Sequence, residues 1–180
     1  MSDHVAAAVR SIPRSRPVIV IDGPAGAGKT RLAARLAAEL PGATSVISMD
    51  DLYDGWDGPV DPGFAIYLAT SLAPQILAGR SITHRRYDWG QGRFGPEVTI
   101  PAGDRLIVEG VGAAHPALAG PADLRVWVTA DPAIRATRVL ERDGEATRPH
   151  WAHWLAVQDL YYARHPTQPL CDLTVVTDEG

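Results

Sequence analysis

Val18-Ile19-Val20-Ile21-Asp22-Gly23-Pro24-Ala25-Gly26-Ala27-Gly28-Lys29-Thr30 decides the fold. The apolar run Val18–Ile21 does not alternate with polar residues, so it reads as a parallel strand buried on both faces. Gly23–Thr30 then matches G-x-x-x-x-G-K-S/T at every fixed position. A helix follows over 29–40: Leu32, Leu36 and Leu40 recur every four residues, alanines favour it, and Pro41-Gly42 stop it. Strand, glycine-rich turn and helix in this order make a phosphate loop. Its glycines let backbone N–H groups turn toward phosphate oxygens, and the helix start adds its positive dipole end. Gly23, Pro24, Ala25, Gly26, Ala27, Gly28, Lys29 and Thr30 are therefore the expected nucleotide site. Lys29 is expected to reach the β- and γ-phosphates, and Thr30 to place its hydroxyl on Mg²⁺. Lys29 is also the only lysine among 17 Lys+Arg positions. A planar guanidinium is a poor substitute for a compact ammonium in such a loop.

Outward from this unit, short apolar runs at 45–49, 106–109, 124–129 and 173–177 read as further strands. Helices are expected over 64–78 with a break near Pro74, from Pro132 to about 142 behind an Asp131 cap, and over 149–164. Residues 81–89 and 97–100 flank a glycine-rich turn and read as a hairpin-like insertion. Residues 1–16 read as a loosely ordered arm with at most one helical turn, ahead of a single domain over 17–180. Alternating strands and helices predict an α/β fold. This is the P-loop NTPase three-layer α/β/α sandwich, with a mainly parallel five-stranded sheet.

Ligands of open α/β sheets bind beyond the carboxyl ends of the strands. Asp22, Asp50, Asp51, Glu109 and Asp131 all fall at such ends. Asp131 reads as a helix cap, and Asp22 as a hydrogen-bond acceptor for its turn. Glu109 closes Leu-Ile-Val-Glu and resembles the acid on the Mg²⁺ side of a Walker B strand, acting directly or through water. Asp50 and Asp51 fit an N-cap or a solvated loop, and Asp50 also fits a catalytic role. Asp50 is the candidate base, because phosphoryl transfer to an alcohol needs a carboxylate near the acceptor hydroxyl.

Net charge is −4, which argues against a nucleic-acid partner. No apolar run is long enough for a membrane span, and the single Cys171 excludes an internal disulfide. A reducing, cytoplasmic location is expected. His150 and His153 share a helical face but lack a third ligand, so no metal site is read there. Trp151, Trp154, Tyr161 and Tyr162 read as packing rather than a stacking platform.

Several segments resemble uridine kinases and their relatives, the phosphoribulokinase and pantothenate kinase group. Ser48-Met-Asp50-Asp51-Leu-Tyr53 resembles the D-x-F-Y segment. Arg86-Tyr87-Asp88-Trp89 with Arg93 resembles the Tyr-Asp-Phe segment and its following arginine. Leu106-Ile-Val-Glu109-Gly110, Arg138-Val-Leu-Glu-Arg142-Asp143 and Cys171-Asp172-Leu-Thr-Val-Val follow in the family's order. The resemblance implies ATP as donor with Mg²⁺, and a small-molecule, nucleoside-like acceptor. It implies Asp50 as catalytic base and Tyr53, Asp88, Trp89 and Arg93 around the acceptor. Arg138 and Arg142 would belong to a lid over the phosphates, although they also fit a solvated helix face. Two departures stand out. The turn after Asp88 is a short Trp-Gly-Gln-Gly without the family's histidine, and the lid after Arg142 is short, 143–149. Oligomeric state is unreadable.

Two other activities fit the loop. Ile21–Lys29 is also similar to cytidylate kinases, where Arg85, Arg86 or Arg93 would bind an acceptor phosphate. A nucleotide-gated ATPase or regulatory module is the third. A guanine-reading Asn-Lys-x-Asp element is excluded, because Lys29 is the sole lysine.

Overall fold

The computed structural model describes residues 2–144 and 148–178. Five strands form one sheet: β1 (Val18–Asp22), β2 (Thr44–Ser48), β5 (Arg105–Glu109), β6 (Leu124–Thr129) and β7 (Leu173–Val176). Their order is β2-β5-β1-β6-β7 and every pairing is parallel. β1 lies at the centre, flanked by β5 and β6. The chain passes to β2 on one side of β1, returns through β5, then continues to β6 on the other side. This reversal opens a crevice at the carboxyl end of β1, where ligands of such sheets bind.

Successive side chains of β1 point to opposite faces. Val18 and Val20 join Ile47, Leu106, Val108 and Trp154 in one core, while Ile19 and Ile21 join Leu36, Ile107, Val126 and Val128 in the other. Helices α1 (Ser2–Arg10) and α2 (Lys29–Glu39) cover the second face. Helices α3 (Pro62–Tyr67), α4 (Ala73–Ala78) and α6 (Arg148–Arg164) cover the first. Helix α5 (Pro132–Asp143) leads from the carboxyl end of β6, with the Asp131 side chain accepting from the Ala133 N–H at 2.8 Å as its cap.

Two local features differ from the sequence reading. Residues expected as a loose arm form α1, whose Val5, Ala6 and Val9 are buried against the α2 side of the sheet. An alanine-rich helix of nine residues is marginal alone, so its order comes from that docking. The break expected at Pro74 is instead a π-helical stretch at Leu68–Leu72, one turn upstream, with Pro74 sitting in the first turn of α4. The expected hairpin-like insertion is present as β3 (Ile82–Asp88) paired antiparallel with β4 (Arg93–Ile100). Its register shifts between Arg85 and Tyr87, opposite Gly95-Pro96. Proline removes a ladder donor, which is why Pro96 falls at the irregularity. Arg86 there turns to Asp51, Nε to Oδ1 at 2.9 Å, and fastens the hairpin to the end of β2.

Candidate active site

The phosphate loop leaves β1 through Gly23 at φ 140°. A Cβ on Gly23 would stand 1.9 Å from the Val128 carbonyl oxygen, so the loop can lie against β6 only with glycine there. Gly28, at φ 94°, precedes α2 and provides no side-chain cap. The first N–H groups of α2 therefore remain for a ligand. Lys29 is buried and its Nζ donates to the Pro24 carbonyl at 2.9 Å. Burial lowers its pKa, and Asp50, Glu109 and Asp22 act in the opposite direction. The Thr30 hydroxyl lies 3.2 Å from both carboxylate oxygens of Glu109.

Glu109, almost fully buried, ends β5 beside β1. Burial raises its pKa, Lys29 lowers it and Asp50 raises it again. Asp50 sits in the short 3₁₀ turn Met49–Asp51 after β2, in the wall of the same cavity. Its carboxyl is also raised, first by burial, while Lys29 and Arg142 oppose the shift. Lys29, Thr30, Asp50 and Glu109 thus come together from three neighbouring strand ends.

Asp22 is fully buried and does more than close its own turn. It accepts from the Gly23 N–H (2.7 Å), the Gly112 N–H (2.8 Å), the Ala114 N–H (3.1 Å), the Tyr162 hydroxyl (2.9 Å) and the Thr167 hydroxyl (2.8 Å). Burial pushes its carboxyl up and these donors pull it back. Five donors with no facing donor from Asp22 itself suit the carboxylate form. Asp22→Asn would turn an NH₂ toward N–H or O–H groups and leave one of them unpaired. The expected loss is about 3 kcal/mol of stability, read from the urea midpoint. A loss below about 1 kcal/mol would mean that this network does not hold the loop.

A cavity of about 1120 Å³ joins the loop to an aromatic wall of Trp56, Trp89, His150, Trp151 and Trp154. The Trp56 and His150 rings stack 4.8 Å apart at 7°. Trp89 meets Trp56 edge to face at 4.9 Å, and its indole N–H donates to the Asp50 carbonyl at 3.1 Å. Trp89 is still 39% exposed, so it can offer ring surface to a ligand. Trp151 and Trp154 pack against the core, as their sequence reading expects, and they line the cavity as well. Trp56 lines the cavity although the sequence reading does not single it out; its only sequence signal is a count of five tryptophans against two phenylalanines.

Three expected acceptor residues stand elsewhere. Tyr53 is 0% exposed; its ring packs on Phe64 and Trp154, and its hydroxyl donates to the Val111 carbonyl. It supports the wall from behind, because a phenol this deep must satisfy its O–H internally. Asp88 accepts the Gln91 N–H at 2.9 Å and shapes the hairpin turn. Arg93 donates to the Gln91 side chain at 2.8 Å, also within the hairpin. Neither lines the large cavity.

Arg138 and Arg142 of α5 do line it. Arg138 donates to the Thr177 hydroxyl at 2.9 Å, and that hydroxyl donates to the Ala27 carbonyl at 2.8 Å, so Arg138 is linked to the phosphate loop. Arg142 pairs with Asp143, Nε to Oδ1 at 2.6 Å. Part of the expected short lid, 145–147, lies outside the described residues.

The oxygen donors Thr30 and Glu109, with Asp50 nearby, fit Mg²⁺. This ion takes one or two protein oxygens and keeps waters and phosphate oxygens for its other positions. No group of three or more acidic, histidine or cysteine side chains arranged to hold a metal occurs among the described residues. No helix among them is long and apolar enough to cross a membrane.

No protein-family model and no curated protein matches the sequence. Solved structures do match by fold. A possible uridine kinase from Bacillus stearothermophilus superposes with a TM-score of 0.71 at 21% identity, over 97% of this chain and 96% of that one. Shikimate kinase from Acinetobacter baumannii, in complex with shikimate, gives 0.53 at 15% identity, over 97% and 89%. The chain therefore has the α/β fold of P-loop kinases. Within that class the fold is uridine kinase-like, a parallel five-stranded sheet with an added two-stranded hairpin.

Proposed function

We propose that the protein transfers the γ-phosphoryl group of ATP, with Mg²⁺, to a hydroxyl of a small nucleoside-like acceptor. The observation that carries this reading is the single cavity with a phosphate loop at one end, an aromatic wall at the other, and Asp50 between them. Its volume of about 1120 Å³ exceeds the usual range for one ligand, which suits two. The kinase fold supports the same reading.

The loop N–H groups, the start of α2 and Lys29 would hold the β- and γ-phosphates. Thr30 and Glu109 would hold Mg²⁺, directly or through water. That ion would supply neutralisation of the phosphate charge. The wall would seat the acceptor ring so that its hydroxyl lies by Asp50. The acceptor oxygen forms its bond to the γ-phosphorus as the bond to the β–γ bridging oxygen breaks. Asp50 takes the hydroxyl proton, and ADP leaves. Arg138 and Arg142 would face the charge on the transferring group.

A monophosphate acceptor would need arginines at the acceptor end. Arg86 is paired with Asp51, Arg85 donates to the Gly95 and Phe94 carbonyls, and Arg93 is held by Gln91. This favours an acceptor without phosphate.

The test is ADP release from ATP–Mg²⁺ across nucleosides, nucleoside monophosphates, pantothenate-like alcohols and sugar phosphates, with Lys29→Ala as blank. A nucleoside hit absent from the blank supports the proposal. A panel silent while ATP binds would reduce the reading to nucleotide binding. For a hit, Trp89→Ala is expected to raise the acceptor KM about tenfold with kcat nearly unchanged, because ring contact is lost equally in ground and transition states. An unchanged KM would remove Trp89 from the acceptor site.

A further inference from the structure

We infer that Gln158 is a positioning residue that ties the aromatic wall to the phosphate loop, so that a ligand at one end of the cavity alters the other. This rests on the nucleotide-and-acceptor reading of the cavity. Helix α6 carries Trp151, Trp154, Gln158 and Tyr162 at intervals of three and four, which places them along one face. Trp151 and Trp154 line the cavity. One turn further on, Gln158 is 3% exposed and its Oε1 accepts from the Ala25 N–H at 2.7 Å. One more turn on, Tyr162 donates to Asp22, whose carboxylate also holds Gly23.

One rigid helix therefore touches the wall at its start and the first half of the phosphate loop further along. Ala25 is the third residue of Gly23–Thr30. A phosphate loop works through the directions of its backbone N–H groups, and a short, partly buried bond to one of them sets a direction. The motif does not require this glutamine: G-x-x-x-x-G-K-S/T is complete without it. A triphosphate drawing on the same loop N–H groups competes with, or reinforces, the Gln158 bond. Either change moves along about two turns of helix, some 10 Å, to Trp151. Linkage makes the effect reciprocal, so an acceptor on the wall must change triphosphate affinity by the same factor.

Hydrogen exchange read by mass spectrometry on the full chain tests this without a known acceptor. The probe is Mg²⁺ with a non-hydrolysable ATP analogue, at saturation verified for each variant by calorimetry. In the wild type, peptides over 149–156 are expected to slow about fivefold on nucleotide binding. In Gln158→Leu the slowing is expected to fall below about twofold although nucleotide is bound. Gln158→Glu keeps an oxygen acceptor at the same reach and should restore the slowing, with weaker nucleotide affinity from its charge. Gln158→Asn is one methylene short; it should behave as the leucine variant and replaces it if that one does not fold. Nucleotide-bound wild type with unchanged exchange, or a leucine variant that slows like wild type, overturns the inference alone. A wild type that binds no nucleotide overturns the functional proposal, and this inference with it.

Discussion

Lys29→Ala is expected to lower turnover about a thousandfold, with weaker binding of Mg²⁺–ATP and little change in the thermal midpoint. Its ammonium is the one lysine charge in the chain, buried at the start of α2 and held against Pro24. Removing it leaves the loop N–H groups in place but takes away the point charge proposed to hold the β- and γ-phosphates. Stability should change little because two effects oppose each other. The burial cost of the ammonium disappears, while Asp50, Glu109 and Asp22 lose a nearby positive charge. Lys29→Arg should fail nearly as badly, since a planar fork does not fit a site built around one 2.9 Å contact to a backbone carbonyl. Calorimetry with the ATP analogue and steady-state assays measure both effects. If Lys29→Ala keeps wild-type affinity and turnover, the loop is not the donor site.

The second large effect is expected at Asp50. Asp50→Asn should cut kcat by about 10² to 10⁴ while the ATP analogue binds as well as before, or slightly more tightly once a negative charge is gone. Asn keeps the size of the side chain and its hydrogen-bonding capacity but cannot take the acceptor proton. The pH dependence has a definite sign. Burial raises the Asp50 carboxyl above the ordinary aspartate value, with Lys29 and Arg142 opposing. A base must be ionised, so kcat/KM should be full at higher pH and fall as pH drops through that raised pKa. The acid limb should therefore lie above the value for a free aspartate, and it should vanish in the residual activity of Asp50→Asn. Wild-type turnover in that variant would assign the proton to another acceptor. An acid limb unchanged in the variant would assign the titration to Glu109, the other raised carboxylate of the cavity.

Local rules made much of the fold legible. Val18–Asp22, Leu124–Thr129, the cap at Asp131 and the loop Gly23–Thr30 are each contiguous, so backbone preference and side-chain period act on neighbours along the chain. Acids at strand ends are likewise visible in the sequence, Asp50 and Glu109 among them. The same reasoning did not see α1, because Val5 and Val9 acquire meaning only against α2 and β6.

Within the site, the division follows the reach of each interaction. Residue order alone makes the phosphate loop, its lysine, the strand that carries Glu109 and the parallel α/β architecture legible. These depend on spacing and on the conformations that glycine and β-branched residues allow. Tertiary packing alone puts Tyr53 behind the wall, gives Asp88 and Arg93 to the hairpin, and brings Trp56, His150 and Trp151 to the lining of the cavity. It alone joined Gln158 to Ala25 across 133 residues of chain. A side chain's partner across such a separation is set by how helices and hairpin dock on the sheet, and no local pattern of residues encodes that docking.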